Sequence, residues 1–469
     1  MAASPTLSLH PDRLFPADPS TRTVARRLFA EVDGTPIVSP HGHVDAAVIA
    51  DDTPFPDPAT LFVVPDHYIT RLLHAQGIAL EDLGVAGSPA EPREIWRKFC
   101  AHWKYFRATP SRYWLEGELV DVFGVDTAPS AETADALFDE LDAKLRTAEF
   151  RPRALFEKFK LAALATTDDP ADALAAHRKL TDDPSWSGRV VPTFRPDAYL
   201  DPSKPGWPER VTSLGAAANA DVDTYDGYIE ALQSRRAYFK ENGATATDHG
   251  HLDAGSEPLE LPEARRIFTA ALTGTVAPDE ATAFRRHMLS EMARMACDDG
   301  LVMQLHPCVL RDHHTETFEK LGPDTGHDIP LAAEFTRSLR PLLQRYGTHP
   351  NFRMVLFTTD EDVWAREIAP LAGFYPSLYV GAPWWYTDTP DAMRRFREAV
   401  TDTVGFYRTS GFIDDTRAFC SIPVRHDTAR RVDAGHLARL VVEHRMTEED
   451  AADTIRDLAY AVPHEVFRL

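Results

Sequence analysis

The chain has 469 residues, 43% of them hydrophobic and including 25 Phe and 8 Trp, so it can bury a large core and is not a disordered polypeptide. Its formal charge of −22 repels phosphate backbones and argues against a nucleic-acid partner. No apolar run approaches the ~18 residues of a membrane span, the start Met1-Ala2-Ala3-Ser4-Pro5 carries no leader pattern, and Cys100, Cys297, Cys308 and Cys420 form no Cys-x-x-Cys pair; a cytoplasmic protein without a disulfide framework, and without a membrane partner, is the expectation.

Short β-branched runs alternate with long amphipathic stretches, and most of the runs end in a polar cluster. In chain order they are Pro36 to His43, Leu161 to Asp169, Arg189 to Arg195, Ala244 to His251, Leu301 to His306, Phe352 to Thr359, Leu378 to Trp385 and Phe412 to Arg417. Strands separated by helices pair in parallel, and eight of them close a (β/α)8 barrel of the α/β class. The polar strand ends then share one face, where such barrels carry their active sites.

A barrel core usually takes ~250 residues, so the excess must be inserted. Residues 46–160, between the first two runs, carry helical patterns such as Pro92 to Phe99 and Ala131 to Phe138, and residues 252–300 after the fourth run form a second, largely helical insertion. A helical tail follows residue 425, with Thr447-Glu448-Glu449-Asp450 resembling a capping box. The whole chain, 1–469, is expected to be one barrel domain.

His41 and His43 lie at the end of the first run, where alternation puts positions i and i+2 on one side of an extended chain. They make half of a metal or substrate site, or two loop histidines. Asp415 and Arg417 hold the same relation in the last run, where a structural salt bridge is the plainer reading of an isolated Asp-x-Arg.

Taken together, His41-x-His43, Asp66-His67-Tyr68, Thr166-Thr167-Asp168-Asp169-Pro170, Phe194-Arg195-Pro196-Asp197, Leu305-His306, Leu321 to Gly326, Ala382-Pro383-Trp384-Trp385 and Asp415-x-Arg417 stand in an order and spacing that resembles the uronate (glucuronate) isomerases of the amidohydrolase superfamily. The resemblance runs from about residue 20 to the end of the chain. It departs from the family at Gly42, where His-Cys-His-Leu is usual; at Arg112, where Tyr-His-Trp is common; and at Thr387, where this chain replaces Phe-Asn-Asp.

The resemblance implies an aldose–ketose isomerase that moves a proton between C2 and C1 of an open-chain hexuronate through an enediol: D-glucuronate to D-fructuronate, D-galacturonate to D-tagaturonate. It implies one divalent cation on His41, His43 and Asp415, with zinc, manganese and iron all compatible with two imidazoles and a carboxylate. Asp415, Arg417, His67 and Tyr68 are the catalytic candidates. Either His67 or Tyr68 moves the proton, and Arg417 steadies the developing oxyanion. Arg195 is the candidate for the substrate carboxylate. His306 is a hydrogen-bond donor, a neighbour of the metal or a satisfied core histidine, and Trp384 is a pocket wall or plain packing. Asp168 and Asp169 are expected to cap the following helix, and Asp248, His249 and His251 to line the pocket without an assigned role. A homo-oligomer is compatible with the pattern.

Two other functions bear comparison. A metal-dependent hydrolase on the same barrel needs a hydroxide-generating ligand set, yet the fourth run ends Thr-Asp-His-Gly-His without Lys or Glu and the sixth ends Phe357-Thr358-Thr359-Asp360 without His. A non-catalytic sugar-acid binding protein would have no need of His41, His43, Asp415 and Arg417 together.

Overall fold

The computed structural model describes residues 6–469. Its strands are β1 (Ile37–Ser39), β2 (Leu161–Ala165), β3 (Val190–Val191), β4 (Thr193–Phe194), β5 (Ala246–His249), β6 (Val302–Leu305), β7 (Val309–Leu310), β8 (Ile329–Pro330), β9 (Met354–Leu356) and β10 (Leu378–Val380). The ladders run β1-β2-β3 and β4-β5-β6-β9-β10, all parallel. Only Pro192 separates β3 from β4; having no N–H to donate, it interrupts what is otherwise one strand.

The ring closes through a segment that is not a regular strand. Thr409 bridges Val380 in parallel, the Ser410 N–H donates to the Val380 carbonyl at 2.9 Å, and further on the His43 N–H donates to the Thr416 carbonyl at 2.9 Å and the Asp415 N–H to the His41 carbonyl at 3.2 Å. The eighth strand expected over Phe412 to Arg417 is therefore corrected to an irregular connector. Gly411 (φ +72) and Asp415 (φ +40) are left-handed there, which an extended strand cannot absorb.

Period-2 alternation divides the strand residues between two cores. Val38, Ala163, Val191, Ala246, Val302 and Val355 pack in one cluster, while Met303, Leu305, Met354, Leu356 and Leu378 pack with the surrounding helices. Residues 46–160 form several helices whose aromatics, Phe62, Trp96, Phe99, Phe106 and Phe123 among them, cluster with Ile37, Leu161 and Leu164. Residues 252–300 hold the helices Leu261–Leu272 and Pro278–Asp299. After residue 421 the chain is helical, with Ile422–Val442 the longest piece and Thr447 capping Glu448–Arg456.

One element has no counterpart in the sequence reading. β7 and β8 pair antiparallel, and between them residues 311–328 make an excursion that reaches the strand-end face. The four cysteines are buried and unpaired, and among the described residues no helix is long and apolar enough to cross a membrane. Residues 1–5, part of the stretch read above for a leader, lie outside the described residues.

Candidate active site

A cavity of about 440 Å³ opens at the carboxyl ends of the strands. His41, His43, His67, Tyr68, Arg195, His306, Trp384, Asp415 and Arg417, drawn from segments up to 376 positions apart in sequence, all line it. Each is placed by a local device. Asp66 accepts the Tyr68 N–H at 2.8 Å and starts the helix His67–His74, so His67 and Tyr68 enter the cavity from that helix's first turn. The left-handed turn at Asp415 and the two backbone bonds to His41 and His43 bring the carboxylate back over β1.

His41 Nε2 and His43 Nε2 lie 3.3 and 3.1 Å from the same atom, Asp415 Oδ1. Ligand bonds of roughly 2.1 Å in a tetrahedral shell set donor atoms roughly 3.4 Å apart, so these separations fit one small divalent ion. The buried Asp415 Oδ1 and His41 Nδ1 have no hydrogen-bond partner among the described residues. Burial works against charge on Asp415, but the two imidazoles outweigh it and hold the carboxyl well below its usual range, which leaves it anionic. Burial lowers the pKa of His43 and keeps that ring in the neutral, ligating form.

Arg195 is enclosed by acids. Its Nε donates to Asp197 Oδ2 at 3.2 Å, and its Nη1 lies 3.4 Å from Asp248 Oδ2. Against burial, Arg195 holds Asp197 down at about 2. Asp248, fully buried, also hydrogen-bonds His306, and despite its burial the His306 and Arg195 side chains beside it hold its carboxyl well below the usual range. The Trp384 ring stands 5.0 Å from that of His306. Gly250 is needed here: a Cβ would sit 2.9 Å from His306 Cε1 and 3.1 Å from Asp197 Oδ2.

On the opposite side Arg417 pairs with Asp324, from the excursion between β7 and β8, and the same carboxylate lies 3.8 Å from His67 Nδ1. Burial first, then the nearby Arg417, lowers the His67 pKa, so this ring is a neutral base at pH 7. Tyr68 differs. Its hydroxyl donates to Asp388 at 2.6 Å and accepts the Tyr386 N–H at 2.8 Å, and burial followed by the Asp388 charge pushes its pKa well above 10. It is a fixed phenol.

Several further residues escaped the sequence reading. Asp388 and Arg425 are an ion pair of tertiary origin, and Arg425, Arg311, Lys204 and Asp324 line the cavity; of these, Asp324 had a signal inside the Leu321 to Gly326 motif and Asp388 in the Tyr386-Thr387-Asp388 stretch that stands for Phe-Asn-Asp. The capping expectation for Asp168 and Asp169 is corrected. The next helix, Ala175–Thr181, has Leu174 at its N-cap and no side-chain cap, whereas Asp169 accepts the Ala171 N–H in a turn and Asp168 accepts from Thr166 Oγ1 and the Thr193 N–H. Two further groups of possible donors gather nearby: His41 with Asp248 and His306, which shares His41 with the first, and Asp197 with His249 and His251.

The three departures from the family pattern all stay out of this cavity. Gly42 has room for a Cβ at ordinary contact distances of 3.4 Å and beyond, Arg112 lies 4.0 Å over the Trp103 ring and pairs with Glu116, and Thr387 turns its hydroxyl to the Trp384 carbonyl at 2.7 Å.

The comparisons with known proteins agree. The family model described as glucuronate isomerase matches residues 20–467. The chain is 50% identical over its full length, and that of its relative, to a uronate isomerase of Rhizorhabdus wittichii. It is 52% identical to one of Corynebacterium efficiens, with 98% of each chain covered. The crystal structure of glucuronate isomerase from Caulobacter crescentus superposes with a TM-score of 0.97 at 46% identity, covering 99% of this chain and 97% of that one. With a matching fold, a family match over residues 20–467 and full-length identity near one half, this chain belongs to the glucuronate isomerase family of isomerases.

Proposed function

We propose that the chain interconverts aldo- and keto-hexuronates, D-glucuronate with D-fructuronate and D-galacturonate with D-tagaturonate, by proton transfer through an enediol. The observation that carries this reading is the meeting, in one cavity, of a His41/His43/Asp415 donor set, the Arg417 guanidinium and bases in their proton-accepting form. In the forward direction a base takes the proton from C2, the C–H electron pair becomes the C1=C2 bond, and the aldehyde oxygen becomes an enediolate oxygen. C1 then takes a proton while the C2 hydroxyl passes its own proton to the C1 oxygen, so that C2–O becomes the ketone and C1–O the new hydroxyl.

The basic groups available for the C2 proton are the Asp415 carboxylate and the neutral His67 imidazole; Tyr68, protonated and held by Asp388, serves as a hydrogen-bonding group rather than a base. Arg417 faces the enediolate oxygens, and Asp324 holds the guanidinium until the substrate arrives. Zinc suits two imidazoles and a carboxylate, with manganese and iron as alternatives; when bound, such an ion polarises substrate oxygens. His306 and Trp384 line the cavity, and Asp248 is bonded to His306 behind them.

The direct test is to incubate the protein with each hexuronate in D₂O and follow the products by NMR. Ketose with deuterium at C1 is expected, because a side-chain base exchanges its proton with solvent. Formation of ketose from neither sugar would overturn the reading, and ketose that keeps all of the C2 hydrogen at C1 would replace the exchanging base by a direct hydrogen shift or a fully shielded proton transfer.

Arg195 is the proposed grip on the distal carboxylate: Nε and Nη1 face Asp197 and Asp248, and the Nη2 edge faces the Gly250 backbone at the cavity. Arg195→Met is expected to lower kcat/KM by about 2–4 kcal/mol, chiefly through KM, since a charge-assisted contact is lost and an anion left unpaired. Unchanged steady-state kinetics in that variant would move the carboxylate site elsewhere.

A further inference from the structure

Behind Tyr68 lies a buried polar chain with no part in the assignments above. The Tyr68 hydroxyl donates to Asp388 Oδ1 at 2.6 Å, and the other carboxylate oxygen accepts from Arg425 Nη1 at 3.0 Å. Asp388 and Arg425 are 4% and 2% exposed. The Arg425 guanidinium lies 3.6 Å over the Trp114 ring, its Nε donates to Ser421 Oγ at 3.1 Å, and the same Nη1 reaches the Asp414 carbonyl at 3.3 Å. Asp414, whose carboxylate is bonded to His426 at 3.0 Å, directly precedes Asp415. One guanidinium thus spans the helical insertion that supplies Tyr68 and the irregular closing segment that supplies Asp415.

A phenol oxygen has one proton and two lone pairs. Here the proton goes to Asp388 and one lone pair takes the Tyr386 N–H at 2.8 Å. The second lone pair is left, on a cavity-lining side chain whose rotor cannot turn without breaking a short bond to a buried carboxylate. A group so oriented accepts a hydrogen bond from a substrate hydroxyl. Released from Asp388, it would present its proton instead and lose that preference.

We propose that Asp388 and Arg425 are positioning residues for the isomerisation: Asp388 fixes the Tyr68 hydroxyl as an acceptor toward a substrate hydroxyl, and Arg425 holds Asp388 and the backbone before Asp415 in one frame. This inference rests on the hexuronate reading above. A substrate oriented at one end by Tyr68 and at the other by the Asp415 side reacts only while the two ends keep their spacing, so loosening the frame affects the chemical step more than binding.

The test is a double-mutant cycle of Asp388→Asn with Tyr68→Phe, read as kcat and KM on whichever hexuronate the wild type isomerises. Asp388→Asn alone is expected to lower kcat at least ~10-fold with KM within ~3-fold, and to cost less than ~2-fold once Tyr68 is already Phe, because the two residues act as a unit. If Asp388→Asn does not fold, the same cycle is run with Arg425→Lys, which keeps the charge and loses the two-way reach of Nη1. Effects that simply multiply, or a loss confined to KM or to thermal stability with kcat intact, overturn the proposal. A wild type inactive on both hexuronates overturns the underlying reading instead.

Discussion

Arg417→Met is expected to lower hexuronate turnover by a hundredfold or more while the protein keeps its fold and its metal. The size follows from what one preorganised donor to a developing oxyanion is commonly worth, roughly 10²–10³ in kcat. The fold should be spared because Arg417 is more than one-third exposed and its partner Asp324 sits on the excursion between β7 and β8 rather than in the barrel wall. The charge is the active feature, so Arg417→Lys should recover only part of the loss: an ammonium keeps the charge and gives up the planar fork. Asp324→Asn supplies the contrast. It releases Arg417 from its resting partner and should change KM more than kcat. Steady-state kinetics and circular dichroism of the three variants check this, and an Arg417→Met enzyme within tenfold of wild type would remove Arg417 from the reaction.

The barrel was legible because its strands are short apolar or β-branched runs ending in polar residues, a pattern that survives in isolation. The run expected at Leu301 to His306 is observed as Val302–Leu305, and the run at Phe352 to Thr359 as Met354–Leu356. The last run misled because Phe-Ile-Asp-Asp-Thr has the residue types of a strand; the left-handed Asp415 is imposed by the closure onto His41 and His43, a contact across more than 370 residues that no local window contains. The β7–β8 hairpin was missed for a different reason. Two-residue arms have no periodicity to read, and the pairing exists only once the excursion is folded.

The site divides along similar lines. Ligand-type residues at i and i+2, such as His41 and His43, are a local signal that strand geometry converts directly into convergence on one atom. Pairings that exist only in three dimensions left no trace: Asp388 stands in a family-like stretch, but its partner Arg425 is 37 residues away and read as the start of a helical tail. The question left open between His67 and Tyr68 is a matter of environment rather than residue type. Tyr68 is bound to Asp388 and stays a phenol, whereas His67 is neutral beside Arg417 and Asp324. Sequence names the pair, and only the neighbours tell the two apart.

The largest effect is expected at the donor set itself. His41→Ala and Asp415→Asn should each purify with at most about a tenth of the wild-type metal, against about one divalent ion per chain in the parent, and should lose hexuronate turnover with it. Removing even an outer hydrogen-bond partner of a metal ligand commonly costs 10–100-fold in affinity, and each of these substitutions removes a ligand outright. Asp415→Asn is the more informative of the two. It preserves the shape of the side chain but not its charge, so metal loss there identifies the carboxylate as the ligand rather than as a partner of two histidines. Against this stands the plain alternative that His41, His43 and Asp415 form a buried charge cluster held by the 3.1 and 3.3 Å contacts alone. The two readings part in elemental analysis after dialysis against a chelator and readdition of zinc, manganese or iron. A ligand set predicts that wild type regains one ion and that the variants do not. Equal metal content in all three proteins would leave the cluster as structure only.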